Sequence, residues 1–234
     1  MHKLVFLGSR SLQTSLTRSA VRAAEWLKNQ QDENGTYGEG HVSAFAFQSR
    51  RLIGHPVETG AEHLNAEIIN ADIGSLSGGR VALYILGALT SCRDPSNFYG
   101  FNLVSSLKAK LSKYPQAGFN HRFQYSLAVI ALCSSRHGLG RMKFGYVGKI
   151  LESIQKQLSS VFASGDTLAM QIMALTCVKK SIKGKGSEAI LEKIEVGINI
   201  ASTELVNRQL NDISFGENEV TAALASQVSE RFHS

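Results

Sequence analysis

Three apolar runs in this chain close on Ala-Leu and carry a cysteine just behind. They are Ala88-Leu89 with Cys92, Ala131-Leu132 with Cys133, and Ala174-Leu175 with Cys177. The alanines are 43 residues apart both times, and the chain has no other cysteine. A period of about 40 residues marks stacked helical hairpins, because each hairpin can bury its apolar face only against its neighbours. The repeat therefore constrains the fold before composition is consulted.

The segments around these runs follow one plan. A first helix is predicted from about Leu12 to Gln31, with Ala20, Ala23, Ala24 and Leu27 at three- and four-residue steps. Asn34-Gly35 supplies the turn that ends it, and a second helix begins at Ser43 to Phe47. Pro56 and Gly60 separate this pair from the next. Further on, a more polar helix, a Gly, Ser or Asp turn and a small-residue apolar helix alternate. The inner helices are predicted at Val81 to Thr90, Tyr125 to Cys133, Leu168 to Val178 and Val220 to Val228, since nearly all-apolar helices are buried on most sides. Val147 to Leu158 and Glu188 to Leu210 keep charged faces and read as outer helices. Arg93 to Tyr99 and Lys179 to Gly186 read as surface loops. With only three prolines in the chain, the expectation is an all-α fold: an α/α toroid of stacked helical hairpins. About five hairpins are visible, one short of a closed six-hairpin ring, so the toroid is expected to be incomplete.

Composition narrows the function. A hydrophobic fraction of 43% with 19% charged residues is ordinary for a chain with a real core. The net charge of +6 is spread thinly. No basic block alternates with aromatics as a nucleic-acid groove requires, so this is a solvated basic surface. No run approaches the roughly 20 apolar residues of a membrane span. The start, Met1 to Gly8, begins like a signal peptide, but its apolar stretch falls short of the usual 7–15 or so. There is no P-loop and no Gly-x-Ser-x-Gly elbow. The Asp-x-Asp-Asp motif of terpene cyclases is absent as well. The histidines show none of the spacings zinc uses, so no metal site and no enzyme is expected.

Certain stretches are more specific. Trp26 to Gln31 followed by Asn34-Gly35-Thr36-Tyr37-Gly38 resembles the hairpin turn of toroids of the terpene-cyclase and prenyltransferase type. Ala88 to Pro95, Tyr125 to Cys133, and Asp166-Thr167-Leu168-Ala169-Met170 running on to Ala174-Leu175-Thr176-Cys177 together resemble the N-terminal α-domain of the animal cobalamin-binding proteins. That is the intrinsic factor and transcobalamin family, and the likeness covers nearly the whole chain.

The resemblance implies a carrier that binds cobalamin as ligand, with no catalytic role, at the inner-helix N-termini. It implies contacts at Asp166, with Thr167 beside it, within Asn120, His121 and Gln124, and at Glu217. It pairs Cys133 with Cys177 and leaves the partner of Cys92 beyond Ser234. It implies an extracellular setting, a possible cell-surface receptor, and a domain over 12–234 behind a short tail at 1–11, the family's β-domain lying outside this chain. Three positions depart from the family pattern: Arg80 replaces a glutamine, Ala163 a histidine, and Glu219-Val220 a Tyr-Ser pair.

Each candidate also has a plainer reading. Asp166 before an apolar helix can cap free backbone N–H groups, and Thr167 can simply start the helix. His121 can be a solvated turn residue, and Glu217 a charge favourable at a helix N-terminus. Cys133 and Cys177 can be buried thiols. Asn34-Gly35-Thr36 is a glycosylation sequon in an exported chain and otherwise a turn. The competing function is a diverged or truncated toroid that serves as an interaction scaffold without binding a corrinoid.

Overall fold

The computed structural model describes residues 21–23, 25–38, 40–52, 54, 60–116, 121–136, 138–140, 143–158, 164–182, 187–210 and 219–229. Among them there is no strand, only an isolated bridge between Phe98 and Phe101. After a helical stretch at 21–23 and 25–29 come α1 (Gly40–Leu52), α2 (Gly60–Ala71), α3 (Gly78–Thr90), α4 (Leu103–Ser112), α5 (Arg122–Ser134), α6 (Lys143–Leu158), α7 (Gly165–Ser181), α8 (Glu188–Asn207) and α9 (Glu219–Ser229).

The odd-numbered helices up to α7, together with α9, make a row: α1 packs on α3, α3 on α5, α5 on α7 and α7 on α9. The even-numbered helices form a second layer, with α2 against α1 and α3, α4 against α3 and α5, and α6 and α8 against α7 and each other. The reason lies in the side chains. In α7 every residue from Thr167 to Ile172 is buried, because the helix is covered by α5, α6, α8 and α9 at once. In α4 only Leu103, Val104, Leu107 and Leu111 are buried, a single stripe at helical spacing. Fully buried side chains such as Leu64, Ile85, Leu132 and Ile150 each contribute about 1.5–3 kcal/mol of hydrophobic stabilisation.

The helices of the row run parallel. Cys133 and Cys177, in the C-terminal halves of α5 and α7, form a disulfide with Cα atoms 6.2 Å apart. At the opposite ends, a Cβ placed on Gly165 of α7 would lie 2.7 Å from Thr221 of α9, and one on Gly79 of α3 would lie 3.2 Å from Gln124 of α5. At the C-terminal ends, the Arg51 guanidinium reaches Cys92 Sγ at 3.5 Å, which pairs α1 with α3. Parallel packing follows from the hairpin repeat, since each outer helix returns the chain to the starting end.

The disulfide implied by the family likeness is thus present. Several other expectations need correction. α1 begins at Gly40 rather than Ser43, and α8 ends at Asn207 rather than Leu210, where Arg208 N–H turns back to Leu205 O at 3.2 Å. The segment Arg93 to Tyr99 is no simple surface loop. Asp94 accepts the Ser96 N–H at 2.8 Å to start a short 3-10 turn, and this drives Pro95 and Phe98 into the core. At the other expected loop, α7 continues through Lys179, which pairs with Glu195 of α8. The tail at 1–11 and the start of the first helix lie outside the described residues.

The turn after that helix is built around Asp32. Its carboxylate accepts the backbone N–H groups of Asn34 (2.9 Å) and Thr36 (2.8 Å) and the Thr36 hydroxyl. The Thr36 hydrogen bonds hold the Asp32 pKa below its usual 3.8. A lowered carboxyl pKa stabilises the fold above the unfolded-state value, and that contribution is lost as pH falls through the folded-state value. An NMR titration of the Asp32 carboxyl should give a midpoint below 3.8; a midpoint at or above it contradicts this turn. Asn34 itself is exposed at the tip.

Candidate functional site at the inner-helix N-termini

Because the row is parallel, the N-termini of α3, α5, α7 and α9 share one end of the molecule. Helix N-termini present backbone N–H groups with no intrahelical partner and a partial positive charge. The residues at this end decide what that surface can bind.

Ser77 caps α3, its hydroxyl accepting the Arg80 N–H at 3.2 Å. His121 caps α5, its Nδ1 accepting the Phe123 N–H at 3.2 Å. An accepting Nδ1 leaves the neutral ring's proton on Nε2, aimed away from the cap. His121 is exposed, so that N–H is open to a ligand. Capping and binding coexist here.

Ser164 occupies the cap position of α7 and makes no side-chain hydrogen bond there. Asp166 is therefore not the cap: it sits inside the first turn, where its Oδ1 accepts the Thr167 N–H at 2.8 Å. A carboxylate in this position is favoured by the helix dipole. Asp166 is half-buried, and its second oxygen can accept donors from outside. Thr167 is fully buried at 0% exposure.

Gln124 is partly buried in the first turn of α5, its side chain packed on Gly79 of α3. Its Oε1 is buried without a hydrogen-bond partner. Behind it Tyr125 packs against Tyr114, ring centroids 4.4 Å apart and planes tilted by 51°. Burial pushes the Tyr125 hydroxyl well above the usual tyrosine range, so it stays protonated. Asn120, Glu217 and Ala163 lie outside the described residues.

Sequence reasoning missed two features of the structure. The Glu67 carboxylate of α2 accepts the Tyr84 hydroxyl at 2.5 Å and lies 3.3 Å from His63, against the first residue of α1. Its only sequence signal was the His63–Glu67 spacing of one helical turn. The second is a cavity of about 430 Å³ beside the start of α3, lined by Gly74, Ser75, Ser77, Ser106, Lys110 and Lys113. Lys110 closes one wall by donating to Gly74 O at 2.9 Å. The two lysines had read as scattered surface charge. Among the described residues no cluster of three His, Cys, Asp or Glu is placed to hold a metal ion. No described helix is long and apolar enough to cross a membrane.

Residues 49–228, most of the chain, match the model of a family described as eukaryotic cobalamin-binding protein. The chain belongs to that family. Among the relatives it is similar to, Transcobalamin-2 of Homo sapiens is 30% identical over 162 residues, covering 66% of this chain and 36% of that protein. The Mus musculus Transcobalamin-2 is 29% identical over 163 residues, covering 65% and 36%. Cobalamin binding intrinsic factor of Canis lupus familiaris is 34% identical over 129 residues, covering 55% and 29%. This chain thus spans about a third of the length of the curated relatives it matches. For a cobalamin-binding family member the departures at this end carry weight. Arg80 stands in the first turn of α3, and Glu219 opens α9. The family is named for a ligand bound and not for a reaction, and the groups above are hydrogen-bonding groups suited to binding.

Proposed function

We propose that this chain binds cobalamin against the shared N-terminal end of its inner helices and carries it as cargo. The observation that supports this most is the family match over residues 49–228 falling on a parallel row whose N-termini gather Asp166, Gln124 and His121. A corrin ring is fringed with amide side chains, each carrying N–H donors and a carbonyl acceptor. The Asp166 carboxylate suits the donors, while the His121 Nε2–H and free helix N–H groups suit the carbonyls. Asn120 and Glu217 are proposed to complete the set, and Arg80 adds a cation at the rim. The row is proposed to be part of an α/α toroid. An extracellular setting, glycosylation at Asn34 and recognition by a cell-surface receptor belong to the same reading, to which the Cys133–Cys177 bond lends support. Ligand affinity depends on burying most of the ligand surface, so a single end of a helical row predicts modest affinity for this chain alone.

Titrating the purified chain with hydroxocobalamin and following the visible spectrum tests the reading. Retention of the corrinoid at micromolar protein is expected. Asp166→Ala should weaken it by roughly 10-fold or more, as for loss of a charge-assisted hydrogen bond, while costing at most about 1 kcal/mol of stability. Unchanged affinity would reduce Asp166 to a favourable dipole charge. No retention at all would favour the scaffold reading. The exposed apolar residues Val196, Ile200 and Val206 along α8 give that alternative a surface.

A further inference from the structure

The contact between α6 and α7 buries more polar atoms than its hydrogen bonds satisfy. Thr167 and Gln171, one turn apart on α7, are both 0% exposed, and Gln157 of α6 is 4% exposed. Gln171 Nε2 donates to Ser153 Oγ at 2.8 Å. The Gln171 Oε1, the Gln157 Oε1 and the Thr167 Oγ1 have no partner among the protein atoms.

Helix register brings these three together. The Gln171–Ser153 bond sets those residues side by side. A Cβ on Gly197 would overlap Leu151 of α6 and lie 3.5 Å from Leu175 of α7, so Leu151 neighbours Leu175. Position 151 beside 175 and 153 beside 171 make α6 and α7 antiparallel. One further turn along each helix then sets Gln157 opposite Thr167, on the faces that carry Ser153 and Gln171. Asp166, about 100° around the helix from Thr167, points out of this junction.

The chemistry of the three atoms selects their partner. Two carbonyl oxygens need donors, and one hydroxyl needs an acceptor. Neither carbonyl can satisfy the other, and the single Thr167 proton serves only one of them. An occupant must donate twice and accept once. A cation fits poorly, because hard cations take about six oxygens with carboxylates among them and none is present here. Water meets the requirement with three hydrogen bonds, the usual number for a buried water. We infer that the α6–α7 contact holds one internal water, accepting from Thr167 Oγ1 and donating to Gln157 Oε1 and Gln171 Oε1. It pins the first turn of α7 from behind and leaves the face with Asp166 free. The inference is independent of what that face binds.

Water–protein NOE spectroscopy on the labelled full-length chain tests it. A long-lived water is expected to show cross-peaks to the Thr167 hydroxyl region and to the side-chain amides of Gln157 and Gln171. Absence of these cross-peaks in the unmodified protein overturns the inference and leaves a direct Thr167–Gln157 bond in its place. Thr167→Val keeps the shape and removes the hydroxyl. It should weaken the cross-peaks and lower the thermal midpoint by about 2–4 °C, whereas Thr167→Ser should retain both. A Thr167→Val protein with equal or higher midpoint and unchanged cross-peaks also overturns it. If that variant does not fold, the unmodified protein and Thr167→Ser decide the matter alone.

Discussion

The Cys133→Ala/Cys177→Ala protein is expected to lose about 2–4 kcal/mol of unfolding free energy, the range usual for a native disulfide. The bond joins residues 44 apart in sequence, and closing a loop of that size restricts the unfolded chain by roughly 4 kcal/mol in the entropic account. Both cysteines are only half-buried, so alanine leaves little cavity and the loss reports mainly the cross-link. For a chain of this size the thermal midpoint should fall by about 5–15 °C. Urea unfolding of the double variant, and of the unmodified protein with reductant, should give matching curves. A loss under about 1 kcal/mol would mean that packing of α5 on α7 alone fixes the row.

Gly138→Ala should cost about 2–5 kcal/mol, the tail of the range for single substitutions. Gly138 lies in the connection after α5, folded back on the end of that helix. A methyl group there would overlap Leu132 O and sit 2.8 Å from its carbonyl carbon and 3.0 Å from its Cα. All three obstacles are backbone, so no rotamer change relieves them. Either the last turn of α5 opens, next to Cys133, or the connection to α6 moves. Gly148→Ala is the contrast. It is exposed in the middle of α6, with nothing within 4 Å of the added atom, and should stabilise by about 0.5–1 kcal/mol. Parallel urea titrations of the two variants read both effects. Equal midpoints for Gly138→Ala and the unmodified protein would show that the connection yields freely.

The two layers were readable in the sequence where burial is complete. The cores of α3, α5 and α7 show it: a helix covered on every side needs apolar and small residues all round, and no surface helix does. Where a helix has one buried stripe among polar residues, as in α2 and α4, the sequence showed only a more polar helix in the alternating plan, and local pattern did not give its bounds. Phe98 shows the same limit. An aromatic between Pro95 and Tyr99 reads as a loop residue until the 3-10 turn aims it inward. At the candidate site, residue types were legible and roles were not. Asp166 looked like a cap because Asp before an apolar run usually is one, yet the helix starts two residues earlier than that reading requires and Ser164 takes the cap position.

By itself the sequence determined the hairpin repeat of 43 residues, the helical class and the inner helices, while the pairing of Cys133 with Cys177 was implied by the family resemblance. The first three follow from periodicity, a property of the chain read along its length. Only the tertiary structure decided that Thr167 is buried while its neighbour Asp166 is half-exposed, and that Gln124 lies against Gly79. Such choices depend on which neighbour covers each face of a helix. That is settled by packing between elements far apart in sequence, which local pattern does not encode.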